Sequence, residues 1–285
     1  MPFATVREIY KRSRDGNYAV GGFDAEHLYM VKAIVEAAEE TRSPTIIFLW
    51  EKDIEAAGLG HLENMVLSEA KNASVPISMM LDHGTSVEFC SRCIQHGHSG
   101  VMIDASHHPL DKNIAITRQV VELARESGVF VEGEIGTISR TFESTGAFSE
   151  PPKYTDPQEA EAYARGSGVD AMAISIGSAS GLYKQEPQLD LERLKQIRDL
   201  SNTYLILHGG SGIPAEKIRS AVQGGISGIR FATEMRLAFF DAMEGKRSEL
   251  GYENPDSRLV LRAGTDAAKA KIIERMGQMG CAGRA

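Results

Sequence analysis

Cysteine is scarce in this chain: Cys90, Cys93 and Cys281 are the only three in 285 residues. An odd, low count offers no disulfide framework and fits a reducing compartment. Cys90 and Cys93 form a C-x-x-C spacing inside an expected helix. A redox pair belongs at a helix N-terminus, where the dipole lowers the thiol pKa, so these read as two small helix residues. Positive charge is also short. The 31 Lys and Arg are outnumbered by 39 Asp and Glu, a net charge of −8. That balance argues against a nucleic-acid partner, which calls for a basic patch. No apolar run approaches the ~18 residues that span a bilayer, so no membrane partner is expected. The opening MPFATVREIYKRSRDG has no apolar core of a secretory signal. The expected location is cytoplasmic. A P-loop, a G-x-G-x-x-G fingerprint and a G-x-S-x-G nucleophile elbow are all missing.

What is present is an alternation. Short apolar runs predict strands over 18–22, 45–50, 75–82, 100–106, 129–136, 170–177, 204–210 and 228–233. Each is nearly all apolar, as suits strands buried on both faces of a parallel sheet. Amphipathic stretches between them predict helices over 27–41, 62–72, 87–95, 113–127, 157–166, 191–200, 215–222 and 234–243. Eight βα units in one domain, residues 1–285, fit an α/β fold of the (β/α)₈ TIM-barrel type. An open doubly wound sheet is the alternative, because local periodicity does not report closure. Residues 137–154 read as a long loop, and 262–279 as an extra C-terminal helix packing on a neighbour or a second subunit.

The expected strand ends are polar: Asp82-His83-Gly84, Asp104-Ala105-Ser106-His107-His108, Glu132-Gly133-Glu134, Gly177-Ser178-Ala179-Ser180-Gly181 and His208-Gly209-Gly210-Ser211-Gly212. In a barrel these ends converge on one mouth, where active sites lie. Imidazole nitrogen with carboxylate oxygen suits zinc or a similar divalent ion. The glycine clusters before the last two expected helices suit a phosphate, since glycine permits close backbone approach and helix N-termini offer N–H groups. Ordinary βα-turn glycine is the competing reading.

These residues carry a resemblance to a family. LDHG (81–84), MIDAS (102–106), VEGEIG (131–136), TDP (155–157), GLYK (181–184), LHGGSGIP (207–214) and FATEM (231–235) stand in order along the chain. Together they resemble the class II, metal-dependent ketose-bisphosphate aldolases, over nearly the whole length. The resemblance implies a (β/α)₈ barrel, commonly a homodimer or homotetramer. It implies His83 and His208 as zinc ligands, Glu134 as a further metal carboxylate, and Asp82 as acid/base. Gly181, Lys184, Gly209, Ser211 and Thr233 fall in its phosphate and monovalent-cation region. Asp104 is an additional candidate. The implied substrate is a small phosphorylated ketose or a related keto acid sugar.

The chain departs from the family at the mouth. A zinc-ligand histidine is replaced by Ser180, and the proton-accepting glutamate by Phe142, with Glu143 adjacent as its candidate substitute. An asparagine is replaced by Arg230, and a lysine two positions earlier by Gly228. Asp24 stands for another asparagine and Trp50 for a small serine. Arg230 is suited to a bidentate anion such as a carboxylate, sulfonate or second phosphate. His107 or His108 is a candidate replacement ligand. Three readings follow: a divergent lyase on a different substrate, a catalytically impaired homologue that binds sugar phosphate or a partner subunit, and another barrel activity such as epimerisation.

Overall fold

A computed structural model describes residues 3–138, 153–181, 183–253 and 255–285. Eight parallel strands close into a barrel in sequence order: β1 (Val20–Asp24), β2 (Thr45–Trp50), β3 (Ile77–Gly84), β4 (Gly100–Ile103), β5 (Phe130–Ile135), β6 (Ala171–Ile174), β7 (Tyr204–Leu207) and β8 (Ile226–Phe231). β1 pairs with β8, Gly22 opposite Arg230, which excludes the open sheet. Four of the eight expected strands were read too long, because polar segments such as Asp104–Ser106 and His208–Gly210 are loops beyond the ladder, and 18–22, 75–82 and 228–233 are displaced by two residues.

The expected helices form as α2 (Leu28–Thr41), α4 (His61–Asn72), α5 (Val87–Gln95), α6 (Leu110–Arg125), α7 (Pro157–Ser167), α8 (Leu191–Leu200), α9 (Ala215–Gly224) and α10 (Thr233–Leu250). Two more appear. α1 (Val6–Gly16) buries Val6, Ile9, Tyr10 and Ser13, a helical stripe, behind a Thr5–Glu8 capping box. α3 (Glu51–Ala57) follows β2 directly.

α1 closes the N-terminal end of the barrel. The Tyr10 ring lies 5.2 Å from that of Phe130 and 5.5 Å from that of Tyr204. Gly228 makes this plug fit, since a Cβ there would stand 2.7 Å from the Tyr10 hydroxyl oxygen. Aromatic rings at one end and polar residues at the other leave the barrel open chemically at its C-terminal mouth.

The C-terminal helix, α11 (Ser257–Met279), packs within the chain, on α10 and α2. It also reaches the mouth. Arg275 forms a fork with Glu234 at 2.5 and 2.6 Å and donates to the Ile213 carbonyl at 2.9 Å. Glu234 in turn accepts from the Gly212 N–H at 3.1 Å. The last helix therefore braces the loops after β7 and β8. Cys90 and Cys93 are buried on α5, and burial pushes the Cys90 thiol up to about 12 and Cys93 upward as well, which keeps both protonated.

Two glycine substitutions test this packing. Gly228→Ala forces Tyr10 to move and should cost about 1–3 kcal/mol by urea unfolding. Gly245→Ala on α10, where an added Cβ meets nothing within 4 Å, should stabilise by roughly 0.5–1 kcal/mol.

Candidate active site

The mouth is assembled from the C-terminal ends of β1, β3, β5, β7 and β8 and the loops that follow. Asp82, His83, Ser180, Gly181, His208 and Gly209 line a cavity there with Ser211, Arg230, Thr233 and Asp24. Glu134 and Asp104 do not line this cavity and adjoin it through His83. Lys184 is exposed and does not line this cavity. Glu143 and Phe142 lie outside the described residues. Trp50 pairs in register with Asp82 but does not line the cavity either.

Asp82 and His83 are consecutive, and consecutive strand residues point to opposite faces. Both nevertheless reach the mouth. The β3–β4 register shifts between Leu81 and Gly84, and His83 takes φ +44°. Among the described residues, the other two non-glycine residues with positive φ, Asn17 and Arg42, are helix C-caps. A left-handed non-glycine residue costs on the order of 1–3 kcal/mol and persists where its surroundings fix it. Here His83 Nδ1 is fixed 2.9 Å from Asp104 Oδ2.

His208 is fixed in the same manner, with Nε2 3.0 Å from Glu132 Oε1. The two imidazoles meet edge to face, their centres 5.1 Å apart. Ligand atoms of Asp82, His83 and His208 lie within 4.8 Å of one another, as do those of His83, Asp104 and Glu134. A histidine whose one nitrogen is held by a carboxylate presents the other to a metal in a set orientation. This donor chemistry fits a divalent ion. His107 and His108 stack on each other, 4.0 Å between centres, and belong to neither donor group.

Glu132 is the residue the sequence reading passed over. It is fully buried, and its signal was present: VEGEIG places two glutamates at i and i+2, on one strand face. Its Oε2 lies 2.6 Å from Arg230 Nη2, while Arg230 Nη1 meets Asp82. Burial drives the Glu132 carboxyl above its ordinary range, opposed by the nearby His83. Burial also brings the Arg230 guanidinium down to about 10, against the pull of Tyr10 and Asp24, so it stays charged at neutral pH. Asp104 goes the other way. Its burial is outweighed by hydrogen bonds from His83 and Ser106, which hold it well below the usual carboxylate range.

The loop residues form a separate corner. The Tyr183 hydroxyl donates to the Gly209 carbonyl and accepts from the Ala179 N–H, both at 2.7 Å, tying the β6 and β7 loops together. A Cβ on Gly209, which has φ +69°, would strike the Ala179 backbone. Ser211 Oγ accepts from the Glu234 N–H at 3.3 Å, at the start of α10. Backbone N–H groups at such a helix start favour an anion. A larger cleft at the opposite end of the barrel contains Arg14 and Arg198, but these guanidinia are bonded to the Asn202 and Gly224 carbonyls.

A closed barrel with histidines and carboxylates gathered at its C-terminal mouth has the layout of a (β/α)₈-barrel enzyme. Comparison with known proteins narrows the class. Residues 4–284 match the family described as class-II fructose-bisphosphate aldolase. A fructose-bisphosphate aldolase of Geobacillus stearothermophilus is 40% identical, over 100% of this chain and 99% of its own length. A 6-phospho-5-dehydro-2-deoxy-D-gluconate aldolase of Bacillus licheniformis is 36% identical, over 100% and 97%. The crystal structure of the YdjI aldolase from Escherichia coli K12 superposes with a TM-score of 0.86 at 29% identity, covering 99% of both chains. The chain belongs to the class II fructose-bisphosphate aldolase family, a family of carbon–carbon lyases. No described helix is long and apolar enough to cross a membrane.

The cavity also imposes a pH dependence on stability. Burial and the neighbouring Glu26 push Asp24 up to about 7, against Arg230 and Arg236. The folded protein then holds a proton that the unfolded chain releases, so stability falls as pH rises from the ordinary carboxylate range through about 7. Denaturant midpoints between about pH 5 and about pH 8 should fall less in Asp24→Asn than in the wild type. An equal slope in both proteins would show that Asp24 is ionised throughout.

Proposed function

We propose that this protein is a divergent class II aldolase that reversibly cleaves a phosphorylated ketose or a related keto acid sugar. The observation that carries the reading is the pair of histidines, His83 and His208, each turned by its own carboxylate toward the other at the mouth. The resemblance adds Glu134 as the carboxylate of a two-histidine, one-carboxylate set for Zn²⁺ or another divalent metal; the carboxylate grouped with both histidines is that of Asp82, while Glu134 groups with His83 and Asp104. Such an ion would supply a Lewis acid to polarise the substrate's ketone and offset the negative charge that develops on it.

The chain's own residues supply the rest. Asp82 is placed to exchange the proton of the aldol hydroxyl, a role worth typically 10²–10⁴-fold in rate. Gly181, Gly209, Ser211 and Thr233 offer a glycine-lined corner at a helix start for the substrate phosphate and a monovalent cation. Anchoring the phosphate there fixes the reacting carbons relative to Asp82, a contribution of orientation. Lys184 enters this scheme as the resemblance implies, for the phosphate, and Glu143 as the neighbour of Phe142 that substitutes as proton acceptor if the loop shifts register. We place the protein in the cytoplasm, as a homodimer or homotetramer.

A second reading has a specific observation in its favour. The Arg230 guanidinium already engages Asp82, and Ser180 offers no strong ligand. A catalytically impaired homologue that senses sugar phosphate or partners another subunit would tolerate both.

Metal content per chain, measured on protein purified without chelator, is followed by retro-aldol assays on a panel of ketose phosphates. Release of dihydroxyacetone phosphate or pyruvate is the readout. The aldolase reading expects about one divalent ion per chain and turnover of at least one substrate. His208→Ala should abolish both metal retention and activity. Asp82→Ala should lower turnover by about 10²-fold or more. Ser180→His should tighten zinc binding by restoring a ligand. A chain that takes up no metal even when zinc is supplied, yet binds sugar phosphates, would establish the sensor reading instead.

A further inference from the structure

Arg230 is confined on every side. Its guanidinium carbon lies 3.9 Å from the centre of the Phe48 ring, and Nη1 stands 3.2 Å from Met102 Sδ. Only 5% of the residue is exposed, so the side chain cannot swing into solvent. Its two carboxylate partners are not incidental. Asp82 is one of the three donors of the group with His83 and His208. Glu132, which holds Nη2 through Oε2, holds His208 Nε2 through Oε1. One fixed positive charge therefore shares a donor of that group and the carboxylate that orients one of its histidines.

We propose that Arg230 sets the metal affinity of this site, weakening the hold on a divalent ion by taking up the negative charge of Asp82 and Glu132. This rests on the metal reading above. In a water-poor interior two cations that share one carboxylate repel, and the repulsion is screened far less than at a surface. The carboxylate charge that would offset the loss of hydration of an incoming ion is already spent on the guanidinium. The apo site, in turn, keeps Asp82 and Glu132 neutralised and in place. Arg230 is accordingly a determinant of metal occupancy rather than an open anion receptor for substrate.

The test compares Arg230→Gln and Arg230→Lys with the wild type, with Zn²⁺ alone as the ligand and a chromophoric chelator as competitor. Arg230→Gln keeps hydrogen-bonding capacity but no charge, and should bind Zn²⁺ about tenfold or more tightly than the wild type. Arg230→Lys keeps the charge and should bind as the wild type does. The melting temperature should rise more on adding Zn²⁺ to Arg230→Gln than to the wild type. His208→Ala placed on top of Arg230→Gln should erase the gain, which locates it at this site. Where Arg230→Gln does not fold, Arg230→Met, whose thioether suits the contacts with Phe48 and Met102, carries the same expectation. Wild-type binding with an unchanged or weaker affinity in the uncharged variant overturns the role of Arg230 and leaves the metal reading standing. No Zn²⁺ binding by any of the proteins overturns both.

Discussion

A guanidinium sealed inside a barrel has to be matched, and the matching organises this molecule. Arg230 enters from β8, and its counter-charges come from β3 and β5, on the far side of the sheet's interior. The unpaired alternative is severe, since one buried charge stripped of its partner costs on the order of 3–5 kcal/mol. Three strands are thereby held in one register by electrostatics as well as by the hydrogen-bond ladder. The apolar floor contributes to the same end. Phe48 offers its face to the cation, and Tyr10 fills the space that Gly228 leaves below. With water kept from entering at the N-terminal end, charge in the middle of the barrel is tolerable only because it is paired.

The same charges reach the mouth through Asp82 and Glu132. His208 is oriented by a carboxylate that also answers to Arg230, whereas His83 is oriented by Asp104, which answers to Ser106. The two histidines face one another but are governed by different partners. The strained φ of His83 belongs to this arrangement: a regular strand would send either Asp82 or His83 outward, and the register shift permits both to face in. Backbone strain, hydrogen bonding and charge pairing all serve to bring polar atoms to one place.

The sequence was informative where the physics is local. Eight apolar runs, the polar residues that follow them and the glycine clusters could be read directly, and the structure joins them at one mouth. Closure could not be read, because β1 meets β8 across the whole chain length. α1 was missed because Arg7, Glu8, Lys11 and Arg12 surround the narrow stripe of Val6, Ile9 and Tyr10. Glu132 was overshadowed by Glu134, two residues along the same face. The presence of Arg230 was plain, but its inward aim was not, because its partners lie on strands distant in sequence. The positive φ of His83 has no sequence signal at all, since histidine does not announce a left-handed turn as glycine does. Ser139–Glu143, which includes the proposed proton acceptor Glu143, lies outside the described residues.

The brace from α11 has a consequence for the order in which the protein is made. β8 has closed on β1 by residue 231, so the barrel is topologically complete well before the last helix is synthesised. Glu234 and the Gly212 loop receive Arg275 only afterwards. During vectorial synthesis the N-terminal parts come together first. A nascent chain thus passes through a stage with a closed barrel and unbraced loops after β7 and β8, and the final shape of the mouth is the last property to arrive.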